Sequence, residues 1–285
     1  MPMSMKTTAT FQLTSQGKTW DLVTPQVMGI VNCTPDSFFA GNRFEATDVA
    51  INKGIEMLHH GANAIDIGGQ STRPGAAEVS ADDEWQRIRL VIKGILEANP
   101  DAILSVDTFH GEVARRALES GVFMINDVYA GQKDEGVVDA VRSFDAPLVM
   151  MHMQGTPDNM QNSPQYTDAS AEILAWLAHR MKTLQEKGAR QLVLDPGFGF
   201  GKTLEHNFQI LKSFETFKKL DLPILAGVSR KSMIWKTLKN SPEESLNGTT
   251  ALHAWALNGG ANILRAHDVK EALETTLLFN QMHVF

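Results

Sequence analysis

The sequence is poor in cysteine: Cys33 is the only one among its 285 residues. A single cysteine excludes an internal disulfide framework and favours a reducing compartment, so we expect a cytoplasmic protein. No apolar run approaches the roughly 20 residues that a membrane span needs. The opening residues, MPMSMKTTAT, contain no apolar segment typical of a secretory signal peptide. We therefore expect no membrane association.

Positive charge is also in deficit. The chain has 26 Lys and Arg against 33 Asp and Glu, which gives a net charge of −7 at pH 7. General nucleic-acid binding normally requires a basic balance, so we expect no nucleic-acid partner, although a local basic cluster can still bind a small anion. The hydrophobic content of 43% is ordinary, and we expect one domain that spans residues 1–285.

What the chain does contain is a repeated pattern in which an apolar strand ends in a polar residue and a loop and a helix follow. Such strands are predicted at 27–32, 64–67, 103–107, 122–126, 147–151, 191–194, 223–226 and 261–264. Eight strand–helix units in this length predict an α/β fold of the (β/α)8 TIM-barrel type. A doubly wound sheet is the alternative, but the first unit lacks a G-x-G-x-x-G turn.

Local signals predict further elements around this pattern. Residues 9–22 form two short alternating runs around a Gly-containing turn, which predicts an N-terminal β-hairpin at the bottom of the barrel. Ser80, followed by acidic residues, predicts the start of a helix. We expect a continuous helix over 204–220 and an interrupted one around Ser241-Pro242.

The polar residues that follow the predicted strands are the candidate functional residues. In a barrel the carboxyl ends of all strands meet at one mouth, so side chains far apart in the chain would lie together. The loop after the second strand adds Thr72 and Arg73. The strand-end residues are Asn32, Asp66, Asp107, Asn126, Asp195, Lys231, Arg265 and His267.

These residue types suit two kinds of chemistry. Arg73, Lys231, Arg265 and His267 offer cations or donors for an anion, and the neutral oxygen of Asn32 suits Mg²⁺ that shares substrate phosphate oxygens. The second group, Asp107, Asn126 and Asp195, suits the amino and lactam edges of a flat heterocycle, because carboxylates pair strongly with such N–H groups.

Each residue also has a purely structural interpretation. A lone Asp at a strand end is often a helix cap, and a lone His is usually not a ligand. Cys33 is expected to be a small buried hydrophobe rather than a nucleophile. The phenylalanines of the glycine-rich turn at 196–201 could serve only in packing. Polar residues at nearly every strand end nevertheless favour a site.

With these residues in view, the chain resembles the dihydropteroate synthase family of folate biosynthesis, the target of sulfonamides. The similarity extends from Met28 to Val269 in the order typical of the family. The matching stretches are GIVNCTPDSF, DIGGQSTRPGA, SVDT, INDV, MHMQGTP, LDPGFGFGKT, SRKS and ILRAHDV.

The resemblance implies a transferase reaction. (7,8-Dihydropterin-6-yl)methyl diphosphate condenses with p-aminobenzoate to give dihydropteroate and diphosphate in the presence of Mg²⁺. It further implies a homodimer and competition by sulfonamides, and we expect the dimer to use apolar residues of the last helices, namely Leu252, Trp255, Leu257 and Leu277.

The resemblance also implies roles for individual residues. The metal and the diphosphate would be bound by Asn32. The expected pterin-binding residues are Thr72, Asp107, Asn126, Asp195 and Lys231, and the expected diphosphate-binding residues are Arg73, Arg265 and His267. The p-aminobenzoate pocket would contain Phe38, Pro74 and Ser232, and Met150, Phe200 and Ala266 complete the expected substrate-binding set. Of all these positions, we expect catalytic roles for Asp36, Arg73, Asp107 and Lys231.

The residue types favour a dissociative, SN1-like mechanism. An aromatic amine is neutral at pH 7 and needs no general base, whereas departure of diphosphate needs cations at its oxygens. We expect the loops at 34–45 and 68–79 to close over bound diphosphate, so that pterin binds first and the amine second. The alternatives are a pterin-dependent methyltransferase that transfers a methyl group to a corrinoid protein, a Schiff-base aldolase that uses Lys231, and an inactive pterin-binding paralogue.

Overall fold

The chain folds around a ring of parallel strands. The computed structural model describes residues 11–34, 43–71, 77–156, 160 and 164–282. The strands of this part are β1 (Gln12–Ser15), β2 (Lys18–Asp21), β3 (Gln26–Asn32), β4 (Ala64–Gly68), β5 (Leu104–Asp107), β6 (Met124–Asp127), β7 (Leu148–Met151), β8 (Leu192–Asp195), β9 (Leu225–Ala226) and β10 (Ile263–Ala266). Eight of them form one parallel sheet in the order β8-β7-β6-β5-β4-β3-β10-β9.

The two ends of this sheet meet and nearly close the ring. Leu194 of β8 forms a parallel bridge with Ile224, which lies just before β9. Its backbone N–H also donates to the carbonyl oxygen of Pro223 at 2.8 Å. A doubly wound sheet would leave two open edges. The predicted (β/α)8 barrel is therefore confirmed.

Helices cover the outside of the ring. They are α1 (Arg43–His59), α2 (Ala81–Ala98), α3 (Gly111–Glu119), α4 (Gly136–Phe144), α5 (Ala169–Glu186), α6 (Leu204–Lys212), α7 (Ser232–Leu238), α8 (Leu246–Asn258) and α9 (Val269–Met282). The main core lies between strands and helices, where Ile67 and Val106 pack in one cluster with Ile92 of α2. Among the described helices, none combines the length and apolarity required to cross a membrane.

Alternation along each strand decides which residues face the barrel interior. In β4, Ile65 and Ile67 belong to the outer core between the strands and the helices. Ala64 instead packs inside the barrel in a second apolar cluster. Since side chains of a strand alternate between its faces, Asp66 also faces inward. The same alternation places one polar side chain of several strands at the mouth.

The predicted hairpin is confirmed as β1 and β2, and it closes the bottom of the barrel. Leu13, Trp20 and Leu22 pack against the inward residues at the amino ends of the strands. Trp20 contacts Phe123 edge to face, with ring centroids 6.4 Å apart. Residues 9 and 10 of the predicted segment lie outside the described residues.

Two helix predictions are confirmed and one is corrected. The Ser80 hydroxyl accepts the N–H of Asp83 at the start of α2, and α7 and α8 are separate helices around Ser241-Pro242. The expected helix over 204–220 instead ends at Lys212, and a 3₁₀ helix (Phe214–Leu220) follows. The tighter 3₁₀ turn aligns residues three apart, which buries Phe214 and Phe217 together.

The last strand also differs from the prediction. It covers Ile263–Ala266 rather than 261–264. Its register against β3 pairs Arg265 with Met28, so the arginine stands within the sheet rather than in the following loop. The sheet hydrogen bonds fix the backbone of Arg265. Because side chains alternate along a strand, its side chain lies on the same inward face as that of Ile263.

Candidate active site

The mouth of the barrel carries a cluster of polar side chains from five strands. Asp66, Asp107, Asn126, Asp195 and Arg265 lie at or near the carboxyl ends of β4, β5, β6, β8 and β10. They are mostly buried; Asp66 is 0% exposed and Asn126 is 5% exposed. These five side chains lie together as predicted, because parallel strands of a barrel bring their carboxyl ends to one side.

Arg265 is the central cation of this cluster. Its Nε donates to Oδ2 of Asp66 at 2.6 Å, and an Nη donates to Oδ2 of Asp107 at 3.0 Å. The Nδ2 of Asn126 donates to the same Asp66 oxygen at 2.9 Å. A guanidinium has five N–H donors, and these two contacts use two of them. Arg265 therefore retains donors for a bound substrate.

Lys231 and Asp195 form a second charged pair on the other side of the mouth. Lys231 Nζ donates to the carbonyl oxygen of Phe198 and lies 4.7 Å from the ring centre of Phe200. A Cβ on Gly227 would meet Lys231 Nζ at 3.7 Å and Asp195 Oδ2 at 3.9 Å. Glycine at this position leaves the space between the ammonium and the carboxylate open.

The glycine-rich turn after β8 holds this pair in place. Gly197 and Gly201 have φ angles of +73° and +61°, where residues with a Cβ are strained. A Cβ at Gly197 would also overlap the carbonyl oxygen of His152. Asp195 Oδ1 accepts the N–H of Gly197 at 2.7 Å. The turn thereby orients the carboxylate while packing against the β7 loop.

Lys202 at the end of this turn is a residue that sequence reasoning missed. It is 3% exposed, and its Nζ donates to the carbonyl oxygens of Phe200 at 2.8 Å and of His152 at 3.1 Å. Nδ1 of His152 lies at 3.1 Å from the same nitrogen. Lys202 thus ties the β8 turn to the loop after β7. A lysine that follows glycines before a helix is typical of a solvated helix start, so no local pattern indicates its burial.

Burial changes the proton affinities in the mouth. It raises the pKa of Asp107 and of Asp195 above the usual carboxyl range, against the opposing effects of Arg265 on the former and Lys231 on the latter. It lowers the pKa of Lys231 to about 8, although Asp195 opposes this change. Groups whose pKa values lie near neutrality in a recessed polar site are typical of functional sites.

His267 adds a neutral donor rather than a charge. Burial, reinforced by Arg265, lowers the pKa of its imidazole to about 3. The Ser229 hydroxyl accepts the backbone N–H of His267 at 3.2 Å and lies 3.0 Å from Nδ1. If the hydroxyl donates its proton to Nδ1, the ring carries its proton on Nε2. The expectation of a donor for an anion stands, but the ring is uncharged at pH 7.

Asn32 ends β3 beside Asp107. Gly68 is paired with Asn32 in the sheet, and a Cβ on Gly68 would lie 3.9 Å from Asn32 Oδ1 and 3.6 Å from Asp107 Cβ. Because Gly68 has no side chain, space remains beside the amide oxygen of Asn32. Within the described residues, no group of three or more His, Cys, Asp and Glu could hold a metal. A single oxygen donor still suits Mg²⁺ that takes its other ligands from water and substrate phosphate.

Two predicted substrate-binding side chains face away from the mouth. Met150 and Ala266 are 0% exposed and belong to the outer core between strands and helices. Met151, one residue further, packs with Phe109 and Val128 at the inner side, with Phe200 against them. Because successive side chains of a strand face opposite sides, the orientation of Met150 contradicts the expectation that it contacts substrate, and Met151 is the methionine of this strand end that faces inward. Counting alternation from Val149 could have found Met151.

Of the residues discussed in the sequence analysis that remain, Ser232 and Cys33 are described by the structure and five are not. Ser232 begins α7 directly after Lys231 and is half-buried. Cys33 packs against the core, and burial raises the pKa of its thiol to about 12, which agrees with a non-nucleophilic role. Five predicted positions lie outside the described residues: Asp36, Phe38, Thr72, Arg73 and Pro74.

Comparison with known proteins identifies the family. The model for "Pterin binding enzyme" matches residues 28–267. A dihydropteroate synthase of Escherichia coli K12 is 42% identical over 265 residues, which cover 92% of this chain and 93% of the relative. The chain belongs to the dihydropteroate synthase family of pterin-binding enzymes. Like the other members, it is a transferase.

Solved structures support the same family membership. The Yersinia pestis dihydropteroate synthase, solved with a sulfonamide drug, superposes with a TM-score of 0.89 at 40% identity and covers 96% of this chain and 99% of its own. The Xanthomonas albilineans dihydropteroate synthase with 4-aminobenzoic acid gives a TM-score of 0.90 at 38% identity, with 96% and 98% covered. The barrel is therefore that of the family.

Proposed function

We propose that the chain condenses (7,8-dihydropterin-6-yl)methyl diphosphate with p-aminobenzoate, releasing dihydropteroate and diphosphate. The observation that carries this proposal is the convergence of Asp107, Asn126, Asp195, Lys231 and Arg265 at the mouth of a family-typical barrel. Relatives at 34–38% identity were solved with 7,8-dihydropteroate and with 4-aminobenzoic acid, which are the product and the amine substrate of this reaction.

The pterin is bound by the buried carboxylates and the amide. A carboxylate that accepts two N–H groups of one ring gives strong, directional hydrogen bonds. Asp107 and Asp195 stand on opposite sides of the mouth, with Asn126 between them in the ring of strands. Lys231 donates to the remaining acceptors of the ring. This set fixes the plane of the pterin and directs its methylene group outward.

The diphosphate is bound at the rim by donors from several elements. The remaining N–H groups of Arg265 come from β10 and Nε2–H of His267 from the residue that follows this strand, and Arg73 belongs to the loop after β4. Asn32 would hold Mg²⁺ through its amide oxygen. When bound, Mg²⁺ neutralises charge that builds up on the leaving diphosphate.

The chemical step is an SN1-like substitution. The C–O bond to diphosphate breaks first and leaves a methylene cation conjugated with the pterin ring. Asp107 and Asp195 stabilise this cation electrostatically, because carboxylates in a recessed, low-dielectric site interact strongly with a nearby positive charge. The neutral amine of p-aminobenzoate then attacks the cation, so no side chain need act as general base. Water would trap the same cation, which makes its exclusion important.

The reaction is tested by mixing the purified protein with Mg²⁺, dihydropterin methyl diphosphate and p-aminobenzoate and by measuring both products. As a control, Mg²⁺ is removed with a chelator and then added back in excess. We expect stoichiometric dihydropteroate and diphosphate, loss of both on chelation, and competition by a sulfonamide. Pterin binding without product would favour the pterin-dependent methyltransferase or an inactive paralogue. Product formation that survives chelation would overturn the role of Mg²⁺.

Five loop residues are part of the same proposal. Arg73 and Asp36 act in catalysis, and Thr72, Phe38 and Pro74 contribute to the substrate pockets. Arg73→Ala should lower kcat far more than pterin affinity, because a diphosphate donor acts most strongly as negative charge develops. An effect on pterin affinity alone would contradict this role.

We further propose that the chain forms a homodimer through α8 and α9 and resides in the cytoplasm, where its single thiol remains reduced. Trp255 is 62% exposed, Leu277 59% and Leu278 71%, which makes a large apolar patch for a monomer surface. Leu257, expected in this surface, is 1% exposed and packs in the core, and Leu252 is half-buried against it.

The dimer is tested by light scattering on Trp255→Glu and Leu278→Glu. We expect a mass of one chain for these variants and of two for the unchanged protein. The control is Val23→Glu, which changes another exposed apolar residue (61% exposed) far from these helices in the chain. A monomeric unchanged protein would overturn the proposal.

A further inference from the structure

Asp66 has an arrangement that neither its burial nor the proposed chemistry explains by itself. It is 0% exposed, and a single oxygen, Oδ2, accepts both Arg265 Nε at 2.6 Å and Asn126 Nδ2 at 2.9 Å. Within the described residues, Oδ1 is buried and has no hydrogen-bond partner. Within the described residues, the hydrogen bonds of this carboxylate therefore go to two predicted substrate-binding residues, Arg265 and Asn126.

These contacts extend across the barrel interior. Asp66 lies on β4, Asn126 on β6 and Arg265 on β10; β5 separates the first pair and β3 the second in the order of the sheet. No backbone hydrogen bond connects β4 directly to β6 or β10. The Asp66 side chain therefore links β4 directly to β6 and β10 near the carboxyl ends of these strands.

Asp127 offers a comparison with a buried carboxylate that serves the fold. It is also 0% exposed and stands near the end of β6. Both of its oxygens are used, because Oδ1 accepts the N–H of Tyr129 and Oδ2 accepts the N–H of Gly131. Leaving a buried oxygen unpartnered costs stability, so the arrangement of Asp66 is less suited to a purely structural role.

We propose that Asp66 is a positioning residue that fixes the side chains of Arg265 and Asn126 in the orientation with which they bind the pterin substrate. The inference rests on the proposed function, since it assigns these two residues to substrate. The hydrogen bonds of the Asp66 side chain within the described residues are those to the two residues that it orients. A shift of about 1 Å in such groups can reduce the rate by roughly 100-fold.

The same position couples Asp66 to the charge of Asp107. The groups that face Asp107 are Arg265 of β10, Asp66 of β4, Asp127 of β6 and Asp195 of β8. Arg265 lowers the pKa of Asp107, whereas the three carboxylates raise it. Removing the charge of Asp66 removes one repulsion and frees Arg265 from a competing partner. Both effects lower the pKa of Asp107.

The experiment compares Asp66→Ala and Asp66→Asn with Asp127→Asn in the full-length protein. Binding of dihydropterin methyl diphosphate and of 6-hydroxymethyl-7,8-dihydropterin is measured by calorimetry, and unfolding by denaturant checks that each variant folds. The titration of Asp107 is followed by infrared or NMR spectroscopy with labelled aspartate. Asn at position 66 keeps an oxygen acceptor for Arg265 and Asn126 but removes the charge.

We expect Asp66→Ala to weaken pterin binding by roughly 100-fold, because the hydrogen bonds that hold Arg265 and Asn126 are lost, and Asp66→Asn to recover most of that loss. Asp127→Asn should leave pterin binding unchanged. The titration midpoint of Asp107 should fall further in Asp66→Asn than in Asp127→Asn. Pterin binding that is equal in Asp66→Ala and the unchanged protein would overturn the inference, as would equal losses in the Asp66 and Asp127 variants.

The outcomes separate this inference from the proposed reaction. If the unchanged protein binds the pterin but makes no dihydropteroate, the reaction fails, and the binding ratios still decide the role of Asp66. If it makes dihydropteroate and the Asp66 variants bind pterin normally, the reaction stands and the positioning role fails. If it binds no pterin, both fail.

Discussion

The floor and the mouth of the barrel are built from the same strands but differ in chemistry. Three strands each carry a pair of inward-facing residues two positions apart in sequence. The pairs are Ala64 and Asp66, Val193 and Asp195, and Ile263 and Arg265. The first member of each pair belongs to the apolar cluster beneath the hairpin, and the second is a charged residue at the mouth. The strand supplies the same geometry to both.

The difference shows how one scaffold separates stability from function. Apolar burial stabilises the floor by about 25 cal/mol per Å², whereas the mouth buries charges that are costly to desolvate. In barrels, the carboxyl-end face carries function and the amino-end face carries stability. We therefore expect substitutions at the floor to lower the free energy of unfolding more than kcat/KM, and substitutions at the mouth to lower kcat/KM more than the free energy of unfolding.

The largest expected effect is at the floor. Phe123→Ala removes a fully buried ring that contacts Trp20, and the cavity should lower the free energy of unfolding by about 3–5 kcal/mol. The kcat/KM of the remaining folded enzyme should stay near its original value. Denaturant unfolding and kinetics on the same preparation check both statements. A large loss of kcat/KM in the folded fraction would break the separation.

The matching change at the mouth is Lys231→Met. It removes the ammonium beside Asp195 and should lower kcat/KM by about 100-fold, or roughly 2.7 kcal/mol of transition-state stabilisation. The free energy of unfolding should change less than in Phe123→Ala, because Arg265 and Lys202 still compensate Asp195. A stability loss as large as that at the floor would contradict the comparison.

The pH dependence sharpens the role of Lys231. Burial lowers the pKa of its ammonium to about 8, so the cation is present below this pH and is lost above it. The kcat/KM for the pterin substrate should therefore fall as pH rises through about 8. Lys231→Arg stays charged and should lose this basic limb, at reduced overall activity. An unchanged basic limb in Lys231→Arg would assign the titration to another group.

The smallest expected effect concerns a buried carboxyl outside the mouth. Glu84 of α2 is 0% exposed and accepts the hydroxyl of Thr108 at 3.0 Å. Burial raises its pKa to about 8. The folded state therefore binds more protons than the unfolded state between about pH 4.3 and 8, and stability falls as pH rises through this window.

Glu84→Gln replaces this carboxyl with a neutral side chain of the same shape. The two proteins should differ least at pH 5, and the stability advantage of the variant should grow as the pH rises to 8. Unfolding curves at the two pH values measure the difference. A variant that is less stable at pH 8 would show that the ionised carboxylate stabilises the fold.

Much of the fold could be predicted because strands and helices have different periods. The eight strands, the hairpin and the cap at Ser80 follow from local patterns that tertiary packing did not override. Strand ends also predicted that Asp107, Asn126 and Asp195 share one mouth. The helix break at Ser213 could not be predicted, since it depends on burying Phe214 and Phe217 against other elements.

The two differences between prediction and structure at the site have different physical origins. The resemblance implies Met150 as a substrate-binding residue, but alternation along the strand turns its side chain outward and that of Met151 inward. Lys202 is buried because the loop after β7 supplies carbonyl oxygens to its ammonium. Strand alternation is a local pattern that could have given the orientation of Met150, whereas a partner 50 residues away in sequence is not encoded in any local pattern.

By itself the sequence determined the barrel, its capped floor and the identity of the residues at its mouth, because hydrophobic periodicity and family motifs are local properties of the chain. Only the tertiary structure decided which charges pair. Arg265 meets Asp66 and Asp107, 199 and 158 residues away, since ring closure brings β10 beside β3. The pKa values of Lys231 and Asp107 depend on the same closure, because desolvation and Coulomb interactions exist only when the strands assemble.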